Sequence, residues 1–223
     1  MKTRQYLVKA IPEGPARFRQ WLWTFVILAI LACPVLPGQV EAAGDYNESR
    51  CFSLQFLSGL LYSPVIENSH RYTFNYSLTA LRLSYILTGM KHEDSLLRGN
   101  LELLSEAVYS SVTKGAGDFM AGMTFLLRYN FIRPDAPIIP YIQVGAGVVY
   151  NDIYKDTSQN LIGQAIEFTP QAGLGIHFLL NKDWSVDLEA MFHHVSNAGL
   201  DGRNVGVNAL GGLLGVTYYF GKK

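Results

Sequence analysis

Between residues 51 and 220, apolar residues recur at every second position, the period of a half-covered β-strand. In 142–150 the even positions are Ile142, Val144, Ala146, Val148 and Tyr150; between them stand Gln143, Gly145, Gly147 and Val149. In 172–180 the even set is Ala172, Leu174, Ile176, Phe178 and Leu180, alternating with Gly173, Gly175, His177 and Leu179. In 119–131 the odd set is Phe119, Ala121, Met123, Phe125, Leu127, Tyr129 and Phe131, opposite Thr124, Arg128 and Asn130. Looser runs occupy 51–62, 72–87, 101–111, 184–196 and 207–220, and the 72–87 run changes phase near Ala80, which predicts a bulge or bend. Eight strands result, a count that closes a small barrel.

The direction of the apolar face decides what kind of barrel this is. Only 16% of the residues are charged against 49% hydrophobic. The face opposite the apolar one is rich in glycine and holds scattered charges and amides: Glu102, Glu106, Arg128, Gln143, Asp187 and Glu189. A water-exposed outer surface needs far more Lys and Glu, which argues against a soluble barrel that binds a ligand inside. A narrow interior, by contrast, suits small residues and a few charges of both signs that pair. The expectation is an all-β fold, an eight-stranded antiparallel transmembrane β-barrel of the outer-membrane type, closed because an open sheet edge cannot be satisfied in hydrocarbon. The formal net charge of zero excludes a polybasic nucleic-acid binder.

The amino-terminal region has a different character. Lys2, Arg4, Lys9, Arg17 and Arg19 precede an uncharged, mostly apolar stretch from Trp21 to Leu36, then Pro37, Gly38 and the small-residue site Val40-Glu41-Ala42. This order predicts a secretory signal peptide over 1–42 and a single barrel domain over 43–223, exported to the outer membrane of a Gram-negative cell. A second cut at Ile30-Leu31-Ala32-Cys33 would leave a lipid on Cys33, but Leu31 fits that motif poorly. Cleavage after Ala42 removes five basic and two acidic residues and leaves 13 and 16, a net charge of −3. Cys51 would then stand alone, without an intrachain disulfide.

Connections should alternate long outer loops with short periplasmic turns. Arg133-Pro134-Asp135-Ala136-Pro137 and Asn181-Lys182-Asp183 are short and turn-like, whereas 151–164 is long and 197–206 intermediate. The connection over about 89–100 should be short and is not. At the carboxy end, Gly215, Tyr218 and Phe220 resemble the assembly signal of outer-membrane barrels, which implies the barrel-assembly machinery as a partner.

One segment combines a nucleophile and a base: Phe192-His193-His194-Val195-Ser196-Asn197-Ala198-Gly199-Leu200. Trp184, Val186, Leu188, Ala190 and Phe192 form the apolar face of the strand before it, and by parity His194 and Ser196 continue that lipid-directed face. Two residues apart on a strand, they lie within roughly 7 Å between Cα atoms, so the imidazole can take the serine proton. His193 points the other way. On the next strand the same apolar face is interrupted only by Asn208, an amide able to hold the imidazole in its working tautomer. No cofactor motif and no metal-ligand spacing occur: the histidines share no spacing with Cys or clustered acids, and the glycines recur within strands.

His194-Val195-Ser196-Asn197-Ala198-Gly199-Leu200, preceded by Trp184 and Leu188-Glu189-Ala190 and followed by a barrel-ending strand, resembles the lipid A 3-O-deacylase (PagL) family. The resemblance implies an active site on the outside of the barrel, facing the outer leaflet, with lipid A of lipopolysaccharide as substrate. His194 would be the base, Ser196 the nucleophile and Asn197 part of the oxyanion hole, with backbone N–H groups through Gly199 as helpers. The family's third member is a Glu twelve residues after the Ser; here that position is Asn208, which can orient His194 but not stabilise an imidazolium by charge. The alternative is a non-catalytic barrel of structural or lipid-binding type. Membrane lipids are expected contacts, and pairing as a homodimer is left open.

Overall fold

Each of the eight alternating runs forms a strand in the computed structural model, which describes residues 51–63, 73–92, 94–134 and 136–221. With the short β6, which none of the runs includes, the strands in chain order are β1 (Phe52–Tyr62), β2 (Asn75–Ile86), β3 (Gly99–Lys114), β4 (Phe119–Phe131), β5 (Ile138–Asn151), β6 (Ile166–Phe168), β7 (Gln171–Leu179), β8 (Trp184–Val195) and β9 (Val207–Phe220). The predicted signal peptide over 1–42 and Cys33 lie outside the described residues. Strands β6 and β7 are one stave, both paired with β5 and interrupted at Thr169-Pro170, where proline has no N–H for the ladder. Neighbouring staves pair antiparallel, and β1 closes on β9 while β4 pairs β5, so the eight-staved sheet has no open edge. The lower end of the barrel is where β1 begins and β9 stops; the upper end is where β1 gives way to β2.

The parity of the sequence sorts side chains as expected. Phe125, Leu127, Ile142, Val144, Leu174, Leu188 and Leu210 point outward and are exposed. Arg82, Glu102, Glu106, Arg128, Gln143, Asp187 and Glu189 point inward and are buried. Aromatic residues collect at both ends of the outer face, with Phe52, Tyr85 and Phe220 in ring contact at the lower end and Tyr109, Phe119 and Tyr150 at the upper end. These are the interfacial girdles of a membrane barrel, with the apolar band between them.

The interior charges pair. Arg82 donates from Nε to Glu106 at 2.7 Å and from both terminal nitrogens to Glu189 at 2.6 and 3.0 Å. Arg128 bonds Gln143 and Gln55, lies 3.5 Å from Glu102, and sits 4.3 Å over the Tyr141 ring. Removing either arginine would leave carboxylates without a counter-charge in a closed lumen, a loss of about 3–5 kcal/mol for a broken buried pair.

Above that polar layer the lumen is filled by Leu57, Leu61, Tyr76, Leu78, Val108 and Val195. This upper plug corrects the expected bulge at Ala80. Pairing of β2 with β1 and β3 runs through Ala80 without a shift; the irregularity falls at Asn75/Tyr76 instead. Tyr76, Leu78, Ala80, Arg82 and Ser84 all face inward. What changes near Ala80 is the chemistry of the lumen, from apolar to polar, and that reversal imitates a change of phase.

Strand β5 begins at Ile138, before the run read from 142. Pro140 is tolerated there because it pairs only with β7, the β4 ladder ending at Tyr141. The connection from 87 to 98 remains long at the lower end, as the sequence indicated, and its Lys91 forms a small antiparallel bridge with Gly99 at the start of β3.

Candidate active site on the outer wall

The upper end of β8 meets β9 on one side and the broken stave β6–β7 on the other. His194 lies directly opposite Asn208 in the β8–β9 ladder. Across Pro170 the pairing resumes through Ser196, whose N–H donates to the Phe168 carbonyl at 3.1 Å and whose carbonyl accepts from the Phe168 N–H at 2.8 Å. The His194 N–H donates to the Pro170 carbonyl at 3.0 Å. Both sides of β8 are thereby tied down where its two polar side chains emerge.

Those side chains form one hydrogen-bonded chain on the outer face. His194 Nδ1 lies 2.7 Å from Asn208 Oδ1, and His194 Nε2 lies 2.8 Å from Ser196 Oγ. An amide oxygen can only accept, so a neutral His194 carries its proton on Nδ1 and presents a lone pair at Nε2 to the serine hydroxyl. This is the tautomer that lets an imidazole act as general base. His194 and Ser196 are half-buried and Asn208 is exposed, so the group is open to the membrane side. His193, by contrast, is inward and buried, and its Nδ1 meets the Tyr76 hydroxyl at 2.6 Å.

The loop after Ser196 turns at once. Ala198 and Gly199 have positive φ, 55° and 83°, and the Leu200 N–H donates to the Asn197 carbonyl at 3.1 Å, a turn with both central residues left-handed. Asn197 is buried, and its Oδ1 accepts the Gly199 N–H at 2.9 Å. The structure thus brings Ser196, His194 and Asn208 together, and brings Asn197 and Gly199 to each other within the loop.

Two residues that the sequence did not single out hold this arrangement. Arg203 donates to the carbonyls of Tyr154, Asp156 and Gly163, all at 3.2 Å, and so stitches the 197–206 loop to the 152–165 loop. Gly206 has φ of +76°, and a Cβ there would lie 3.1 Å from His194 Cε1, so any larger residue would crowd the imidazole. Neither carries a local signal, because both act through contacts made only after the loops meet.

Below the polar group, an open apolar groove of about 460 Å³ crosses the outer wall. The small residues Ala172 and Ala190 form its floor, between Val144, Leu174, Phe192 and Leu210. Its upper row, Phe192 opposite Leu210, is the row immediately beneath His194 and Asn208. No group of three or more His, Cys, Asp or Glu suited to a metal ion occurs among the described residues.

Residues 79–217 match the family model described as lipid A 3-O-deacylase (PagL). No curated protein matches the chain. Among solved structures, the outer-membrane enzyme PagL is similar at 23% identity, covering 72% of this chain and 97% of that one, with a TM-score of 0.48. Neisserial surface protein A (NspA) is similar at 12% identity, covering 76% and 97%, with a TM-score of 0.52. The amino-terminal β-barrel domain of Pseudomonas aeruginosa OprF is similar at 13% identity, covering 77% and 99%, with a TM-score of 0.49. The likeness to NspA is one of fold, the eight-stranded antiparallel barrel of outer-membrane proteins. The matched segment spans more than half of the sequence and includes β8, most of β9 and the polar group between them, and the chain belongs to the lipid A 3-O-deacylase (PagL) family.

Proposed function

We propose that this protein is an outer-membrane esterase that removes the 3-O-linked hydroxyacyl chain from lipid A of lipopolysaccharide. The observation that carries the reading is the Asn208–His194–Ser196 chain of hydrogen bonds on the accessible outer face of the barrel, directly above an apolar groove. With the lower end periplasmic, as both strand termini there suggest, the group lies in the outer leaflet, where lipid A resides. In this reading residues 1–42 are an export signal that is removed, and assembly proceeds through the barrel-assembly machinery.

The mechanism follows from the atoms present. Ser196 Oγ attacks the ester carbonyl while His194 Nε2 takes its proton. The imidazolium then gives that proton to the departing sugar oxygen, freeing the hydroxyl at position 3 and leaving the acyl group on Ser196. Water attacks the acyl-enzyme with His194 again as base, releasing the 3-hydroxy fatty acid and restoring the serine. Asn208 holds the Nδ1–H throughout. The Asn197 amide and the Gly199 N–H are the donors proposed for the oxyanion; a developing negative charge would draw the Gly199 N–H away from Asn197 Oδ1. The groove over Ala172 and Ala190 takes the acyl chain.

Asn208 in place of a carboxylate favours a second reading, a barrel of this family that binds lipid without cleaving it. Mass spectrometry of lipid A from Gram-negative cells separates the two. Cells expressing the protein should lose one 3-hydroxyacyl mass, and cells expressing Ser196→Ala should not, a loss of rate of at least about 10³-fold. An unchanged lipid A profile beside well-expressed, folded wild-type protein favours the non-catalytic barrel.

A further inference from the structure

The 87–98 connection breaks the rule that lower-end turns are short, and its position explains what the extra length does. Strand β3 starts at Gly99, but the chain before it leans back across the lipid-facing side of β4, where the outward Tyr129 donates its hydroxyl to the Leu97 carbonyl at 2.7 Å. Leu96 is 78% exposed on the tip of this connection, against 63% for Leu174, the most exposed outward Leu of the strands. Leu97 beside it is 56% exposed, and the two together make an apolar tip suited to a bilayer interface.

Between this connection and the β4–β5 turn lies a second groove, about 460 Å³, lined by Leu96, Phe131, Arg133, Ala136, Ile138 and Pro140. Its lining side chains are apolar except for that of Arg133, which is exposed and has no hydrogen-bond or ion-pair partner among the described residues. The groove is on the outer wall, at the lower girdle, at the opposite end of the barrel from Ser196. A guanidinium at headgroup depth above an apolar slot matches one phosphate and the start of one acyl chain.

We propose that this groove is a binding site for an anionic glycerophospholipid of the inner leaflet. Arg133 holds the phosphate, Leu96 and Phe131 flank the glycerol end, and the chain runs along Ile138 and Pro140. The extra residues of the 87–98 connection supply the outer wall of the site, and the Tyr129–Leu97 hydrogen bond keeps that wall in place. The proposal rests on the outer-membrane reading of the barrel but not on its catalytic activity.

The test is native mass spectrometry of the full-length protein released from detergent micelles doped with phosphatidylglycerol or, separately, phosphatidylcholine. Wild-type protein should retain one phosphatidylglycerol in preference to phosphatidylcholine. Arg133→Gln should weaken that retention roughly fivefold, the equivalent of the ~1 kcal/mol that one basic side chain contributes at a charged lipid surface. Ile138→Trp, which fills the slot and keeps the charge, should weaken it as well, while Lys182→Gln at the neighbouring lower turn should not. Equal retention of the two lipids by wild type, or unchanged retention in both Arg133→Gln and Ile138→Trp, overturns the proposal. Lipid A cleavage is read separately: Ser196→Ala abolishes it and leaves phosphatidylglycerol retention intact, so the two readings fail independently.

Discussion

Two histidines face opposite ways through the same wall. His194 sits across the β8–β9 ladder from Asn208, outward; His177 sits across the β7–β8 ladder from Asp187, inward. Each has a serine nearby, Ser196 and Ser185. By residue type the inner group is the better equipped, since it has the carboxylate that the outer group lacks. Its connectivity differs, however. Ser185 Oγ donates to Asp187 at 2.7 Å and shares a 2.8 Å contact with the Tyr219 hydroxyl, while His177 Nδ1 meets the same Asp187 oxygen at 2.7 Å. His177 Nε2 is turned toward Arg128, and Asp187 also accepts from Gln55 and Thr217.

All of the inner residues are buried, and the serine is bonded to the acid rather than to the base. The inner group therefore holds strands together: it is saturated, and no substrate reaches it. The outer group spends one imidazole nitrogen on orientation and the other on a serine hydroxyl open to lipid. Accessibility and the order of the hydrogen bonds, more than the inventory of residue types, fit the outer group and not the inner one for the proposed chemistry.

That contrast can be broken by exchanging what each group depends on. Asp187→Asn should have the largest effect, on stability: about 3 kcal/mol lost in urea unfolding from lipid vesicles, because His177, Gln55, Ser185 and Thr217 lose their shared charged acceptor. Lipid A cleavage by the protein that remains folded should be unchanged. An Asp187→Asn barrel as stable as wild type would contradict the structural role assigned to the inner group. On the outer wall, Asn208→Glu should do the reverse, with little change in unfolding but about tenfold faster cleavage. That gain corresponds to the ~1.4 kcal/mol by which a carboxylate supports an imidazolium better than an amide does. Slower cleavage by Asn208→Glu would mean that the amide is an adaptation and not a deficit.

Much of this arrangement was legible in the sequence because strand parity carries it. The alternation in 184–196 and 207–220 placed His194, Ser196 and Asn208 on one outward face, and they meet there. The sparse charge of the opposite face, with Arg82, Arg128, Glu102, Glu106 and Glu189 as its ions, fitted a closed lumen in which they pair. Two kinds of information were hidden. A reversal of polarity within the lumen at Ala80 looked like a reversal of direction, since hydrophobicity reports direction only when each face keeps one character. Contacts between loops have no period at all, so neither the clamp of Arg203 on the 152–165 loop nor the space that Gly206 leaves beside His194 could be read in advance. The same holds for the wall that the 87–98 connection lays against Tyr129.

The proposed function requires that the outer serine, and not the inner one, be an activated nucleophile. A long-chain alkyl fluorophosphonate, applied to the folded barrel in detergent micelles and read by intact mass and peptide mapping, tests this directly. A single adduct is expected on Ser196, lost in His194→Ala, with Ser185 unlabelled. Absence of an adduct on Ser196 in the folded protein, or an adduct that persists in His194→Ala, would contradict it.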